Sequence, residues 1–376
     1  MKQGWEEKRI EDCFKLKSGD GLTSKNMNED GSYPVFGGNG IAGLHNEFNL
    51  SGSNVIIGRV GALCGNVRHM NEKIWLTDNA FRIVDFKYDF DHSFLTYLLN
   101  FKNLREYARQ AAQPVISNSS LKDVVLEFPK SLPEQQRIVA ILDTAFAAIA
   151  KAKANAEQNL KNAKELFESY LKGVFENKGE GWEEKTLKEL TTLLGDGLHG
   201  TPKYTEEGEY YFINGNNLTD GIIEFKTSTK RVSLEEYNKY KKNLTDRTVL
   251  VSINGTLGNV AFYNNEKIIL GKSACYFNMK DSVDKNYIKY VLSSPYFLLY
   301  AHKEATGATI KNVSLKTMRE FIVPLPSLKE QQTIVQKLDA ISLETKRLEA
   351  IYQQKINDLE ELKKSVLQKA FSGELK

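Results

Sequence analysis

Two long stretches of the chain place apolar or small residues on one helical face, at spacings of four and three residues. The first stretch runs from Glu134 to Phe175 with Gly173 as its only glycine, and the second runs from Glu330 to Phe371; neither contains proline. At ~1.5 Å per residue each would form a helix of roughly 60 Å. The predicted stripes are Ile138, Leu142, Ala145, Ile149, Ala152, Ala156, Ala163, Leu166 and Tyr170, then Ile334, Leu338, Ile341, Leu348, Tyr352, Leu359, Leu362 and Val366, the latter interrupted by Thr345 and Lys355.

The two stripes differ in side-chain size. The first is rich in alanine and the second in leucine and isoleucine. Small residues facing large ones allow close approach, so we expect the two helices to pair in antiparallel fashion. The alternative is that each helix packs only on its own domain.

The rest of the chain has a different pattern. Short β-rich runs such as "NVIIG", "AFRIVDF", "TVLVSI" and "NVAFY" lie between clusters of Gly, Asn and Pro. Short helical patterns follow in "HSFLTYLLNFKNLREYAR" and "KNYIKYVLSSPYFLLYAHK". These signals predict two α/β domains (α+β in the looser sense) with many loops.

The same phrases occur twice in the same order, which indicates an internal duplication. "GWEEK" at 4–8 returns at 181–185, "GDGL" at 19–22 returns at 195–198, and "GNV" at 65–67 returns at 258–260. Leu121 in "NSSLKD" matches Leu315 in "KNVSLKT", and "LPEQQRIVAILD" matches "LKEQQTIVQKLD". The offset rises from 176 to 193 between the second and third phrases, which predicts an insertion in a loop of the second copy.

The predicted architecture therefore repeats with pseudo-two-fold character. The segments are a first domain at 1–132, a first long helix and linker at 133–178, a second domain at 179–328 and a second long helix at 329–376.

Composition excludes several classes of protein. The chain has 376 residues, 51 Lys and Arg against 48 Asp and Glu, and no region that is strongly basic. No long apolar run or leader-like segment is present, and its three cysteines lie far apart, so a cytoplasmic protein without disulfides or structural zinc is expected. Any phosphate-binding surface must therefore come from local clustering of charge.

No catalytic constellation is convincing. Gly38, Gly40 and Gly43 form a GxGxxG pattern, but "LHNEFNLSGS" after it is not a helix, so a turn loop is the better interpretation. Asp196, Glu224 and Lys226 could be read as a nuclease-like set, although the first copy has no equivalent. The five histidines form no metal-binding pair. A binding protein is therefore the better hypothesis.

Several phrases resemble one known family. "SLPEQQRIVAILD" and "SLKEQQTIVQKLD", each opening a long helix, are similar to the repeated region of type I restriction–modification specificity subunits. "GSYPVFGGNGIAGLHNEFN", "NVIIGRVGALCGNV", "TVLVSINGTLGNVAFY" and "GATIKNVSLKTMREFIVPLP" resemble the target-recognition domains of that family. The resemblance covers both copies. One departure is Lys329 where the first copy has Pro133.

The resemblance implies a subunit without catalytic activity. Each recognition domain would bind one half of a split target in double-stranded DNA, and the paired helices would hold the domains apart. Two methyltransferase subunits and the restriction (translocase) subunits would be its protein partners. S-adenosylmethionine, ATP and magnesium would be bound by those partners, with no cofactor on this chain.

Loop composition supplies candidate contacts, because Asn, Gln, Lys and Arg read base edges and Thr contacts phosphates. We expect DNA contacts in the first domain near Lys25, Asn39, Arg59, Gln113 and Asn118, and in the second near Asn216, Asn254, Lys272, Thr309 and Lys311. We expect the helix starts to contact methyltransferase subunits through Glu134, Gln135, Gln136, Glu330, Gln331 and Gln332. A non-catalytic scaffold with two ligand-binding domains, or a magnesium-dependent nuclease, would have a similar composition.

Overall fold

The chain forms two compact units. The computed structural model describes residues 4–109, 113–307 and 309–375. The first unit contains the residues up to Ala156 together with those from Gln354 onward, and the second contains Glu157–Gln353. The division falls inside both long helices. Each unit therefore holds one β-rich domain, the first part of one long helix and the last part of the other.

Among the described residues, the first domain and the long helix after it contain nine strands and four α-helices. The strands are β1 (Trp5–Arg9), β2 (Lys15–Ser18), β3 (Tyr33–Gly37), β4 (Gly40–His45), β5 (Asn54–Gly58), β6 (Val67–Met70), β7 (Trp75–Leu76), β8 (Ala80–Val84) and β9 (Val125–Pro129). The α-helices are α1 (Ile10–Cys13), α2 (His92–Phe101), α3 (Asn118–Leu121) and α4 (Leu132–Glu176), with 3-10 helices at Ser24–Asn26 and Leu104–Tyr107.

Where the structure describes them, the second domain and the second long helix add twelve strands and five α-helices. The strands are β10 (Glu183–Thr186), β11 (Thr191–Asp196), β12 (Tyr204–Thr205), β13 (Tyr210–Ile213), β14 (Leu218–Thr219), β15 (Ile222–Ile223), β16 (Arg231–Val232), β17 (Thr248–Ser252), β18 (Val260–Phe262), β19 (Ile268–Leu270), β20 (Ala274–Met279) and β21 (Ile322–Leu325). The helices are α5 (Leu234–Tyr240), α6 (Lys285–Ser293), α7 (Pro295–Glu304), α8 (Leu315–Glu320) and α9 (Leu328–Phe371), with a 3-10 helix at Gly215–Asn217.

Both domains are built on the same four-stranded antiparallel sheet. Its strand order is β2-β8-β5-β6 in the first domain and β11-β20-β17-β18 in the second. A second sheet in each domain contains one parallel pair, β3 with β7 and β13 with β19. The α/β repeat predicted from the sequence is therefore confirmed.

The repeated "GWEEK" phrase forms the strand that joins each domain to its long helix. Trp5 pairs with Pro129 at one end of the β1–β9 ladder, and Glu183 pairs with Leu325 in the β10–β21 ladder. Because β9 and β21 end just before α4 and α9, the chain enters and leaves each domain through one two-stranded sheet.

The insertion in the second copy lies where the offset predicts it, but it is not a simple loop. Between β3 and β5 the first domain contains only β4. Between β13 and β17 the second domain contains β14, β15, β16 and α5. The insertion is ordered because it is apolar on its inner side: Leu218 and Ile223 are buried beside Leu250 in one core cluster.

The predicted long helices are confirmed as α4 and α9, and they pair with each other within each unit. In the first unit Lys153 Nζ lies 2.7 Å from Glu360 Oε1, and Lys363 Nζ lies 5.2 Å from the centre of the Phe146 ring. In the second unit Leu171 shares a core cluster with Leu338. Rising numbers on α4 meet falling numbers on α9, so the pairing is antiparallel.

The buried faces of the helices differ in part from the predicted stripes. Leu166 is 63% exposed and Tyr170 is also exposed, whereas Leu171 and Phe175 are buried. Leu171 and Phe175 are four residues apart, which is more than the roughly 3.6 residues of one helical turn. The buried face therefore shifts gradually around the helix toward the core of the second domain. On α9, Leu362 is exposed, whereas Ile356, which lies outside the predicted stripe, is buried. Thr345, one of the two polar residues that interrupt the stripe, is buried as well.

No helix among the described residues is both long and apolar enough to cross a membrane. The three cysteines, Cys13, Cys64 and Cys275, are free and buried. Burial raises the pKa of the Cys13 thiol to about 12, which keeps it protonated and unreactive near neutral pH.

The drift of the buried face gives a matched stability test. Leu142 is fully buried in the core of the first unit, so Leu142→Ala should lower the free energy of unfolding by about 2–5 kcal/mol. Leu166→Ala removes the same atoms from an exposed position and should change it by about 0.5 kcal/mol or less. Urea denaturation followed by circular dichroism measures both. Equal losses in the two variants would contradict the assignment of the faces.

Candidate nucleic-acid interface

Four loops of the first domain are held together by hydrogen bonds. Arg59 N donates to Asn79 O at 2.9 Å, and Ile116 N donates to Arg59 O at 2.9 Å. These main-chain bonds join the loop after β5 to the loop before β8 and to the segment before α3. The turn between β3 and β4 completes the set through a side chain, because Asn39 Oδ1 accepts from Leu63 N at 2.9 Å. The polar loops that carry Asn39 and Arg59 and the segment before α3 are therefore brought to one place.

The second domain repeats this arrangement almost bond for bond. Ile253 N donates to Ser273 O at 3.0 Å, and Val313 N donates to Ile253 O at 2.8 Å. The segment after β13 is held by Gly215 N, which donates to Ser273 Oγ at 2.9 Å. In both domains four loops converge at the same corner of the four-stranded sheet; this set is called the four-loop cluster below.

The segment before α3 or α8 crosses the loop after β5 or β17 in the same way. Gly61 N donates to Pro114 O at 3.0 Å, and Gly255 N donates to Lys311 O at 3.0 Å. These bonds place Gln113 in the first cluster and Lys311 in the second. Both residues are exposed.

Two positions of the cluster favour glycine, one because two main chains approach closely and the other because of its backbone conformation. A Cβ atom on Gly38 would lie 1.9 Å from Val60 O, so only glycine fits beside the loop after β5. Gly40 begins β4 with φ +107°, so the GxGxxG pattern is a hairpin and not a dinucleotide loop. The sequence prediction of a turn is confirmed.

Two of the matches made by phrase are wrong in register. A Cβ on Gly19 would clash with Leu76 O and one on Gly197 with Leu270 O, so Gly19 corresponds to Gly197 and the repeated "GDGL" is displaced by two residues. The strand β11 contains a register irregularity between Thr191 and Leu193, where it has one residue more than its partner β20.

The second register error lies before the final strands. Ser117 caps α3 and Ser314 caps α8. Counting from these caps, Leu121 corresponds to Met318 and not to Leu315. Both Leu121 and Met318 are fully buried. Their equivalent packing therefore defines the correspondence of the two copies, and the similarity of the two sequence phrases does not.

The candidate contact residues differ in how free their side chains are. Lys25, Gln113, Asn216, Lys272, Thr309 and Lys311 are exposed. Lys272 lies in the cluster because its main-chain N donates to Leu198 O at 3.0 Å. Lys25 lies in the 3-10 helix Ser24–Asn26, which no hydrogen bond among the described residues joins to the cluster.

The remaining candidates already make internal contacts. Arg59 Nη1 donates to Asp78 O at 3.3 Å, and its guanidinium lies 5.2 Å from the centre of the Phe81 ring. Arg59 Nε is buried without a partner among the described residues. Asn254 Nδ2 donates to Asn312 Oδ1 at 3.0 Å, and Asn118 Nδ2 donates to Leu16 O at 3.3 Å. These side chains hold loops in place, and their contact with DNA stays a prediction.

The sequence analysis did not predict one polar pair that lies beside the second cluster. His199 Nε2 lies 2.6 Å from Asp196 Oδ2. Leu198, between them, accepts a hydrogen bond from the main-chain N of Lys272 in the loop before β20. The displaced "GDGL" phrase hid this position, since Asp196 corresponds in structure to Ser18. Correct registration of the two copies would have exposed the difference.

The nuclease-like set does not form a metal centre. Lys226 Nζ lies 3.6 Å from Glu224 Oε2 and donates to Asn216 O at 2.8 Å, whereas Asp196 pairs with His199. No group of three or more His, Cys, Asp or Glu residues suited to a metal occurs in the described parts of the chain.

The glutamine in the middle of each "EQQ" phrase has an internal role. Gln135 Oε1 accepts from Asp91 N at 2.8 Å, and its Nε2 donates to Pro129 O at 2.9 Å and Asp89 O at 3.1 Å. Asp91 in turn caps α2 by accepting from Phe94 N. One buried amide therefore connects the start of α4, the end of β9 and the start of α2.

Gln331 makes the same connection in the second copy. Its Oε1 accepts from Asp284 N at 2.9 Å, and its Nε2 donates to Pro326 O at 2.9 Å. Both glutamines are buried, so their assignment as partner contacts is corrected to an internal one. The prediction of partner contact is kept for the exposed or half-buried Glu134, Gln136, Glu330 and Gln332.

The two carboxylates of this set, Glu134 and Glu330, also accept hydrogen bonds from other side chains. Glu134 accepts from Arg137 Nε at 2.8 Å and Nη2 at 2.9 Å, and these bonds lower the pKa of the Glu134 carboxyl. Glu330 Oε1 accepts from Trp182 Nε1 at 2.9 Å. Trp182 belongs to the repeated "GWEEK" phrase, so in the second copy that phrase and the "EQQ" phrase are in direct contact.

Comparison with known proteins identifies relatives over nearly the whole chain. The family model for the type I restriction modification DNA specificity domain matches residues 2–161 and 179–361. The type I restriction enzyme EcoprrI specificity subunit of Escherichia coli is 31% identical over 169 residues, which is 42% of each chain and thus less than half of that relative. A putative type I specificity subunit of Mycoplasma pneumoniae is 22% identical over 340 residues, 89% of this chain and 88% of its own.

Two solved structures share the fold. A chain from a study of complex assembly and conformational transition of the type I R-M system has a TM-score of 0.78 at 18% identity, covering 100% of this chain and 99% of that one. The HsdS subunit from Thermoanaerobacter tengcongensis has a TM-score of 0.64 at 19% identity, covering 100% and 98%.

The buried glutamine can be tested by a shape-preserving change. Gln331→Leu leaves Asp284 N and Pro326 O without a partner in a buried place and should cost about 1–3 kcal/mol for each such group. The exposed neighbour offers a control, since Gln332→Leu should change the free energy of unfolding by about 0.5 kcal/mol or less. Hydrogen exchange at the Asp284 amide should accelerate only in Gln331→Leu. Unchanged protection there would refute the role given to Gln331.

Proposed function

The chain belongs to the family defined by the type I restriction modification DNA specificity domain, and we propose that it is the non-catalytic subunit that selects the DNA sequence for such a complex. One observation carries the proposal. The two domains share one main-chain frame at the four-loop cluster, but the exposed side chains on that frame differ. A shared frame with different surface residues is what two readers of different sequences need.

The DNA target would be bipartite. Exposed Lys272 and Lys311 supply charge for phosphates near the second cluster, and exposed Gln113 and Asn216 supply amides that can read base edges. With 51 basic and 48 acidic residues in the whole chain, binding would depend on these local groups rather than on a general positive field.

The protein partners would be two methyltransferase subunits, joined by restriction subunits. The duplicated start of each long helix supports the number two, because the same side chains occur twice in the same local setting. S-adenosylmethionine, ATP and magnesium would be bound by those partners. The chemistry would also lie there.

Domain exchange tests the proposal directly. Residues 181–328 enter and leave through the β10–β21 ladder, where Glu183 pairs with Leu325, so replacing them with the corresponding domain of a relative leaves both helix connections in place. Methylome sequencing of a host carrying the hybrid should show a new sequence in one half of the methylated motif and the original sequence in the other. The reciprocal exchange of residues 4–131 should change the other half.

Other outcomes would contradict the proposal. A change in both halves would show that the domains do not read independently. A complex that neither binds DNA nor recruits a methyltransferase would favour a scaffold with two other ligands. Cleavage of DNA by the purified chain with magnesium, abolished by Asp196→Asn, would favour the nuclease.

The repeated helix starts give a second test. Replacing Glu134 and Gln136 with Ala alters the surface at the start of α4 and should leave a complex with a single methyltransferase subunit. The matched variant replaces Glu330 and Gln332, which occupy the same positions of α9, so that the other subunit is lost. Native mass spectrometry counts the subunits. Retention of both subunits by a variant changed at all four positions would place the partner surface elsewhere.

A further inference from the structure

The two domains differ most in what covers the sheet face behind the turn that carries Asn39 or Asn216. In the second domain, β14 and β15 lie over this face and bury Leu218, Ile223 and Ala261 together. The tip of this hairpin also pairs with the sheet edge, because Gly221 N donates to Val260 O at 2.9 Å and Phe262 N donates to Gly221 O at 2.9 Å.

In the first domain only the part of the equivalent face around Arg68 is uncovered, since Ile56 and Met70 on the same face are buried. The chain after Asn39 turns back along β3 as β4, and no hairpin among the described residues covers this part of β6. A groove of about 750 Å³ remains, lined among others by Phe36, Ile41, Arg68 and Met70. Ile41 on its rim is 66% exposed, whereas Leu218, which follows the corresponding turn of the second domain, is fully buried.

Arg68 occupies the position of the buried Ala261. The equivalence follows from the repeated "GNV" phrase, since Val67 pairs with Ile57 and Val260 pairs with Val251 in the same sheet position. The Arg68 guanidinium lies against the main chain of Gly40, where a Cβ atom would be 3.4 Å from Nη2. The Arg68 main chain pairs with Ile56 of β5, but no hydrogen bond or ion pair of its side chain is found in the described parts of the chain.

The groove is continuous with the four-loop cluster. Asn39 lines the groove and also accepts from Leu63 N in the loop after β5. Glu72 lines the groove as well without pairing with Arg68, and its negative charge would repel a phosphate. A base edge carries no charge, and a guanidinium fork suits the two acceptors that guanine presents in the major groove.

We propose that Arg68 is a specificity-determining residue of the first domain, which reads a base of the first half-site while Ile41 packs against the neighbouring base. The inference rests on the proposed function, because it needs the four-loop cluster to face DNA. It is confined to the first domain, since the second has buried the corresponding positions. The donors are the Arg68 Nη1 and Nη2 groups, and the apolar walls are Phe36 and Met70.

The test compares Arg68→Ala, Arg68→Lys and Ile41→Ala in the assembled methyltransferase complex. Loss of a bidentate base contact should weaken binding to the cognate duplex about ten- to a hundredfold, and methylome sequencing should show relaxation at one position of the first half of the motif. Arg68→Lys should not restore discrimination, because an ammonium lacks the planar fork. Ile41→Ala should weaken discrimination at an adjacent position.

Two controls make the result specific. Arg9→Ala removes an equal charge from an arginine that is paired with Glu11, Asp12 and Asp123, and it should leave the motif unchanged. The second half of the motif serves as a folding control in every variant, since it is read by the other domain.

Three results would overturn the inference. Equal weakening on all sequences, reversed by Arg68→Lys and accompanied by a lower salt dependence, would make Arg68 a phosphate contact. Loss of a methyltransferase subunit with an unchanged motif would make the groove a protein-binding surface. An unchanged motif and affinity would leave Arg68 without this role. Each differs from failure of the proposed function, in which domain exchange also leaves the motif unaltered.

Discussion

A buried glutamine amide at the start of each long helix is the interaction on which the rest of each unit depends. A buried amide is stable only when its donors and acceptor are satisfied. Gln135 and Gln331 meet that condition by binding the end of the last strand and the capping aspartate of α2 or α6. Three elements distant in sequence are therefore fixed at one point, and the position of the long helix on its domain follows from it.

Each unit is closed by residues from far along the chain. In the first unit Phe371, near the end of α9, stacks at 5.1 Å on Phe101 and meets Phe94 edge-on at 5.7 Å. In the second unit Phe175, at the end of α4, meets Tyr287 in the same way at 5.7 Å. Tyr97 donates to Asp143 and Tyr290 donates to Asp339. These bonds connect α2 to α4 and α6 to α9. The duplication therefore repeats the polar and aromatic contacts along with the backbone.

The shared frame leaves the surface free to diverge. Three loops of each four-loop cluster are joined by main-chain groups, whose hydrogen bonds do not depend on side-chain identity. The fourth loop is joined through the side chain of Asn39 in the first domain and of Ser273 in the second. Exposed side chains on the cluster can change at little cost in stability, so the two domains can differ in what they bind. The hairpin of β14 and β15 shows how far this goes, since it closes part of a sheet face in one domain that stays open in the other.

The sequence by itself determined the duplication, the two long helices, the α/β domains and the segments that carry the loops. These follow from local periodicity and from repeated phrases, which act within a few turns or strands. Only the tertiary structure decided the register of "GDGL", the burial of Leu171 in place of Leu166, and the inward position of Gln135 and Gln331. Glutamine in a helical first turn reads as a surface residue, and its burial depends on carbonyl groups of Pro129 and Pro326 that the fold brings near. The open groove at Arg68 was likewise hidden, because its exposure is set by a hairpin that the first copy lacks.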